Sequence, residues 1–231
     1  MSKTPLCVLA TGLVLGSMAE ATPVPLQSAT ATFSQTFDRN YFITEAIDGN
    51  YADRNGWAIF NNGVTSAQTA AFETTTDLTA PAVQVKLVHN FLSGLHQVGR
   101  FRISTTTDDR STFADGLVTG GDVTANWTVL MPTSVTAGSM NSTILGDGSI
   151  LMANADGLTD YEVLFNAPVS GVTGFRLEVM EDASLPTGGP GMHPTNGNFV
   201  VTEFEVHAVP EPTTLSVLVG GLMVAIRRRR R

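Results

Sequence analysis

The stretch Asp48-Gly49-Asn50-x-x-Asp53 is the part of this sequence best suited to chemistry. A hard cation such as calcium takes about six to eight oxygen ligands, and carboxylates and carbonyls around a turn that glycine permits supply several together. The same residues also make an Asx-turn, in which Asp48 caps the backbone and binds nothing. Catalytic arrangements are harder to assemble. Asp108 with Asp109, and Glu181 with Asp182, are sequence neighbours. Glycosidase work needs two carboxyls flanking a cleft about 5–10 Å apart, and adjacent strand residues point to opposite faces, so these pairs converge only in a bent loop. His89, His96, His193 and His207 show neither the spacing of a zinc site nor a neighbouring nucleophile and are expected in loops or at the surface. No Ser-His-Asp, Cys-His or metal-hydrolase pattern is present, so a non-catalytic protein is expected. Covalent haem needs Cys-x-x-Cys-His, and the one cysteine is Cys7, so no haem site is encoded.

The elements that must carry these residues read as strands. Period-two alternation or β-branched enrichment recurs at 83–88, 100–105, 127–131, 161–165, 174–179 and 199–206. Turn formers separate them: Asp48-Gly49, Asn62-Gly63, Gly120-Gly121, Asp147-Gly148, Asp156-Gly157 and the Pro/Gly-rich stretch 186–191. In Phe175-Arg176-Leu177-Glu178-Val179 the apolar side chains share one face and the charges the other, as a strand covering one side of a core requires. No four-turn amphipathic helix stands out between Leu26 and Ala208. The expected class is all-β, an antiparallel β-sandwich. Thr-rich 74–79 and 104–107 read as strand ends and loops. Trp57 and Trp127 offer either a sugar-stacking platform or core packing, and their place in alternating strands favours core. Arg100, Arg102 and Arg176 fall on polar strand faces, where pairing with Glu178 or Glu162 is expected over a grip on a carboxylated glycan.

Both ends of the chain read as addresses. Lys3 precedes an apolar stretch from Leu6 to Met18, and Ala19-Glu20-Ala21 offers the small-x-small pattern of signal-peptidase cleavage, giving a signal peptide over 1–21. At the other end Val209-Pro210-Glu211-Pro212 leads into an apolar run from Leu215 to Ile226 and five arginines, Arg227 to Arg231. Twelve helical residues rise only ~18 Å, against about 30 Å of hydrocarbon core, which suits transient membrane association better than a permanent anchor. The order of these three parts resembles the PEP-CTERM sorting signal of Gram-negative envelope proteins. That resemblance implies an exosortase as processing partner, Val209, Pro210, Glu211 and Pro212 as the processing site, a sorting segment over 209–231, and a destination in the envelope, at the cell surface or in the extracellular matrix.

Charge limits the partners. The chain holds 13 Lys and Arg against 21 Asp and Glu, a net charge of −8. Without Lys3, the five terminal arginines, Glu20 and Glu211, the central domain is near −12. Nucleic acid and anionic lipid are disfavoured, whereas divalent cations and neutral glycans are accommodated.

A second resemblance covers most of the domain expected over 26–208. Ala31-Thr32-Phe33-Ser34-Gln35, Ala46-Ile47-Asp48-Gly49-Asn50 and Gly56-Trp57-Ala58-Ile59 look like the opening of a galactose-binding-like, discoidin-type β-sandwich, a jelly roll. Segments 98–104, 147–151, 174–179, 184–191 and 196–204 keep the order of a subset common in planctomycete exported proteins, where such modules accompany cytochrome-like domains. The resemblance implies a calcium ion where the loop after residue 48 meets the last strand. Asp48 and Asn50 would supply side-chain oxygens, Asp53 would stand where a threonine is usual, and Glu203 would close the site. Glu45 and Thr202 would give backbone carbonyls. It implies no single function, since this sandwich has sugar-binding, lipid-binding, adhesive and structural members. Two expectations follow: a module binding extracellular polysaccharide or a cell-surface glycan through loops at one end, or a structural, adhesive protein of the surface or biofilm matrix. Aromatics exposed in the loops favour the first, and a polar rim with a flat apolar face the second.

Overall fold

The computed structural model describes residues 20–211 apart from Val64 and Ser93. The expected signal segment through Ala19, and the sorting segment from Pro212 onward, lie outside the described residues. Twelve strands run through the described chain, with three short 3-10 turns and no α-helix among the described residues. A five-stranded sheet has the order β1 (Thr22–Pro23), β12 (Glu203–Val209), β4 (Ala82–Val88), β10 (Tyr161–Phe165), β7 (Ser134–Thr136). The second sheet has the order β2 (Leu26–Ala31), β3 (Gln68–Ala80), β11 (Val169–Val179), β5 (Arg100–Thr106), β9 (Ile150–Ala153), β8 (Asn141–Ile144), with β6 (Thr128–Val129) also on β5. Each of these pairings is antiparallel, and the two sheets form a β-sandwich.

The chain passes between the sheets several times, and the tightest of these crossings comes at Pro81, the single residue between β3 and β4. Proline has no N–H to give a ladder, so it suits the corner where a strand leaves one sheet and enters the next. The core lies between the layers. Phe72 of β3 stacks on Phe204 of β12 at 4.3 Å between centroids, and Phe101 of β5 lies 5.9 Å from Tyr161 of β10. The alternation read in β11 is realised, since Phe175, Leu177 and Val179 are buried while Arg176 and Glu178 are half-buried.

Several boundaries differ from the sequence expectations. The 127–131 stretch pairs only over Thr128–Val129, and 199–202 precede the last strand rather than open it. The Thr-rich residues 74–79 belong to β3, the longest strand, whose first half is covered on both sides. Ala70 and Phe72 face the main core, while Ala71 meets Phe113 and Ala114 beneath Trp127. Ala21–Val209 form one compact unit, so β1 precedes the expected start at Leu26 and Val209 closes β12 opposite Ala82.

Candidate functional site

The loop after Asp48 folds back on one amide. Asn55 Nδ2 donates to the Glu45 carbonyl at 3.1 Å, to Asp48 Oδ1 at 3.1 Å and to the Asn50 carbonyl at 2.9 Å. Asp48 Oδ1 also accepts the Asn50 N–H at 2.8 Å, the Asx-turn foreseen from sequence, and Gly49 takes the left-handed φ of 73° that this turn requires. Glu203, at the start of β12, closes the group. It is 3% exposed, and its Oε1 has no hydrogen-bond partner. Burial and the neighbouring Asp48 carboxylate raise its pKa to about 7, against the opposing pull of the Asn50 and Gly49 N–H groups.

The expected ligand set is therefore only partly assembled. Glu45, through its carbonyl, Asp48, Asn50 and Glu203 come together. Asn50 faces the centre with its carbonyl, while its Oδ1 accepts the Ala52 N–H at 3.1 Å. Asp53 takes another position: its Oδ1 accepts the Leu92 N–H at 2.9 Å. The buried Asn55 stands where Asp53 was expected. Thr202 is tied through its hydroxyl, which accepts the Asn90 N–H at 3.0 Å, and through its own N–H to the Val88 carbonyl. Gly56 fixes the exit of the loop, because a Cβ there would lie 2.3 Å from the Val201 carbonyl oxygen. Trp57, fully buried, then exchanges backbone hydrogen bonds with Val201 at 2.8 and 2.9 Å.

A separate cleft of about 270 Å³ opens among loops, lined by Gln35, Phe37, Asp38, Tyr41, Phe60, Phe91, His96, Asn196, Asn198 and Val200. Phe37 is 57% exposed and stands edge-on to Phe60 at 5.5 Å. Tyr41, Phe91 and His96 of the lining follow one another, with ring centroids 6.3 and 4.5 Å apart, and His193 packs behind His96 at 4.3 Å. Burial holds the His96 imidazole neutral, lowering its pKa to about 4. Buried amides set the floor. Gln35 Oε1 accepts from the Phe60 N–H at 3.1 Å and from Asn198 Nδ2 at 3.0 Å, while Asn198 Oδ1 accepts the Ile59 N–H at 3.2 Å. Sequence reasoning did not find this cleft, whose walls come from four separated segments.

The remaining candidates are tied into the structure. Arg102 and Arg176 both pair with Glu178, at 2.8 and 3.0 Å, and the Arg176 guanidinium lies over Trp127 at 5.3 Å. Arg100 turns to Asp147 and Asp182, and Glu162 accepts from Gln84. Asp108 holds Asn126, and Asp109 caps the turn at Ser111, so neither is aimed at a cleft with the other. Asp182 likewise accepts from Ser184. His89 lies in a loop just past β4 but is buried rather than exposed, beside Tyr161 with Nδ1 on the Thr159 carbonyl at 2.9 Å. His207 departs from the loop-or-surface expectation by lying half-buried within β12.

No protein-family model and no curated protein matches the chain. Among solved structures it is similar to the family 32 carbohydrate-binding module of Clostridium perfringens NanJ, solved with galactose. The identity is 13%, the match covers 81% of this chain and 99% of that one, and the TM-score is 0.48. It is also similar to the F5/8 type C domain of a Bacteroides fragilis protein, with 10% identity, 83% and 98% coverage and a TM-score of 0.49. A Clostridium perfringens family 32 module solved with GalNAc-β-1,3-galactose gives 14% identity, 80% and 99% coverage and a TM-score of 0.43. These likenesses accompany the sandwich fold and leave the ligand to be argued from residues.

Proposed function

We propose that this protein is an exported, non-catalytic sandwich that binds carbohydrate in the cleft between Phe37, Phe60 and Phe91. The observation that carries the reading is the exposed Phe37 ring at the loop end, set beside the polar Asp38 and Asn196. A sugar presents an apolar C–H face and a rim of hydroxyls, and a concave site offering an aromatic face with a few fixed polar groups matches both. Exposed loop aromatics were the feature expected of a ligand-binding module rather than an adhesive face. A neutral His96, with Asp38 the only carboxylate in the lining, favours neutral glycans over acidic ones.

Calcium belongs to the same proposal. The Asp48 carboxylate and the Glu45 and Asn50 carbonyls converge on the position held by Asn55 Nδ2, and the buried Glu203, beside Asp48, has an Oε1 without a hydrogen-bond partner. Turning the Asn55 amide over would present its oxygen at that point at no steric cost, because the two ends of a carboxamide are nearly isosteric. Glu45, Asp48, Asn50, Asn55 and Glu203 would hold the ion, and its charge would offset the repulsion between the Asp48 and Glu203 carboxylates. Export through the 1–21 signal, transient membrane retention and exosortase processing at Val209-Pro210-Glu211-Pro212 complete the reading, with the envelope, cell surface or extracellular matrix as destination. The motif begins at Val209, the last residue of β12, so removing what lies beyond its Pro-Glu-Pro spares the sheet.

A glycan array probed with the purified protein tests the central claim. Binding of neutral glycans that is lost in Phe37→Ala, with an unchanged melting temperature, is the expected result. Absence of any glycan hit, or hits retained in Phe37→Ala, would overturn it.

A further inference from the structure

The cation loop and the aromatic cleft are physically joined. Glu45, whose carbonyl faces Asn55, accepts from Arg39 Nη2 with both carboxylate oxygens, at 2.8 and 2.9 Å, and from the Gly56 N–H at 3.2 Å. The Arg39 guanidinium lies 4.8 Å over the ring of Tyr41, a cleft wall. A second connection runs on the other side of the loop. Asp53 Oδ1 caps the Leu92 N–H, the Asn90 side chain donates to the Tyr51 carbonyl, and Arg54 reaches both Phe91, at 6.0 Å, and Asp38, at 3.6 Å.

The backbone at the Arg54–Asp38 end of the second connection is left-handed at both residues, with φ 68° at Asp38 and 64° at Arg54, a region that non-glycine residues enter uncommonly. The Asp38–Arg54 pair is too exposed to impose this alone. Arg54 is carried by the loop anchored at Glu45, Asp48, Asn50 and Asn55, whereas Asp38 sits in a turn held by the Gln35 amide and the Arg39 N–H on the Phe37 carbonyl.

We infer that cation occupancy sets the shape of the cleft, so that calcium and glycan affinities are linked through Glu45–Arg39–Tyr41 and Asp53–Leu92. This rests on the calcium and cleft readings above. Linkage is reciprocal, so a glycan that requires the ordered walls must also tighten the cation. The two connections make the claim separable, because neither Arg39 nor Asp53 belongs to the ligand set or lines the cleft.

Hydrogen exchange of the purified protein in calcium and in chelator, alongside calorimetric calcium titration, is the test. In wild type, calcium is expected to slow exchange over 35–41 and 88–92 by about 5-fold or more, the lower end of typical coupling. Asp53→Ala should abolish the response at 88–92 and keep that at 35–41, whereas Arg39→Ala should do the reverse. Asp53→Asn, which retains the acceptor, should keep both, and all three should bind calcium within about threefold of wild type. Calcium that binds without changing exchange at either segment, or variants that transmit the response as wild type does, overturn the linkage while leaving the glycan reading intact. Failure of calcium to bind at all overturns the calcium reading and the linkage together.

Discussion

Lowering the pH should unlock the buried His89. Its Nδ1–H donates to the Thr159 carbonyl at 2.9 Å, and its Nε2 accepts the Val98 N–H at 3.3 Å, so the neutral ring bridges two backbone segments inside the sandwich. A proton on Nε2 would leave the Val98 N–H without an acceptor and place a charge beside Tyr161. Burial therefore dominates and lowers the pKa from 6.5 to about 4. A folded pKa below the unfolded one means that the folded state binds fewer protons. The stabilisation is complete above pH 6.5 and is lost as pH falls toward 4. At about 1.4 kcal/mol per unit the loss is about 3 kcal/mol, or roughly 6–12 °C in melting temperature for a domain of this size. Other groups titrate in the same window. His96 adds in the same direction, while Glu203, raised to about 7, loses stability as pH rises and so opposes it. The quantity to read is accordingly the difference between wild type and His89→Gln in thermal melts from pH 7 to 4, and that difference should shrink by about 3 kcal/mol. An imidazole resonance of His89 that shows no titration between pH 7 and 5 should accompany it in the wild type. Parallel pH profiles for the two proteins, or a His89 midpoint near 6.5, would refute the reasoning.

Calcium at 100 times its dissociation constant should add about 2.7 kcal/mol, so chelation should lower the melting temperature by several degrees, and Asp48→Ala or Glu203→Gln should erase the difference. Calorimetry with and without chelator checks this. Phe175→Ala, which empties a fully buried site on β11, should cost ~3–5 kcal/mol in denaturant unfolding, and an unchanged midpoint would contradict its placement. Mass spectrometry of protein from its native host should find the residues after the Pro-Glu-Pro motif absent. Intact Arg227 to Arg231 on most molecules would restore a plain membrane anchor.

Sequence alternation revealed those strands that bury one face against the core, and little else. Tyr161–Phe165 emerges with the boundaries the structure shows, because each inward side chain is apolar and each neighbour is polar or at the rim. β3 escapes because Ala70, Ala71 and Phe72 are covered on both sides, and a doubly covered strand has no period of two. His89 was readable in principle. Val83, Val85 and Leu87 point inward, and residue 89 continues the same parity. A polar residue type outweighed that parity in the surface expectation. Asn55 was missed for a similar reason: a negative residue looks like the better cation ligand, but chain geometry sends Asp53 to Leu92. The one local hint was the glycine that follows Asn55, which lets the chain pass under Val201. The cleft left no trace in any single segment, since Phe37, Phe60, Phe91 and Asn196 meet only after the loops are in place.

What holds those loops in place is an allocation of roles among side chains. The chain has one cysteine, Cys7, so no disulfide can staple them. Buried carboxamides do so instead. Gln35 joins Phe37, Phe60 and Asn198; Asn198 joins Gln35 and Ile59; Asn55 joins Glu45, Asp48 and Asn50. A carboxamide carries two donors and an acceptor on one rigid plane and adds no net charge, so it can bridge three backbone segments without the desolvation cost of an ion. Each such residue leaves buried partners unsatisfied when removed, at about 1–3 kcal/mol per group, which makes the loop arrangement specific rather than merely compact. The inter-sheet phenylalanines then carry stability, the amides carry loop geometry, and Phe37 is left free of both duties. That freedom is why an apolar ring can remain exposed at the loop end, where stability alone would have buried it.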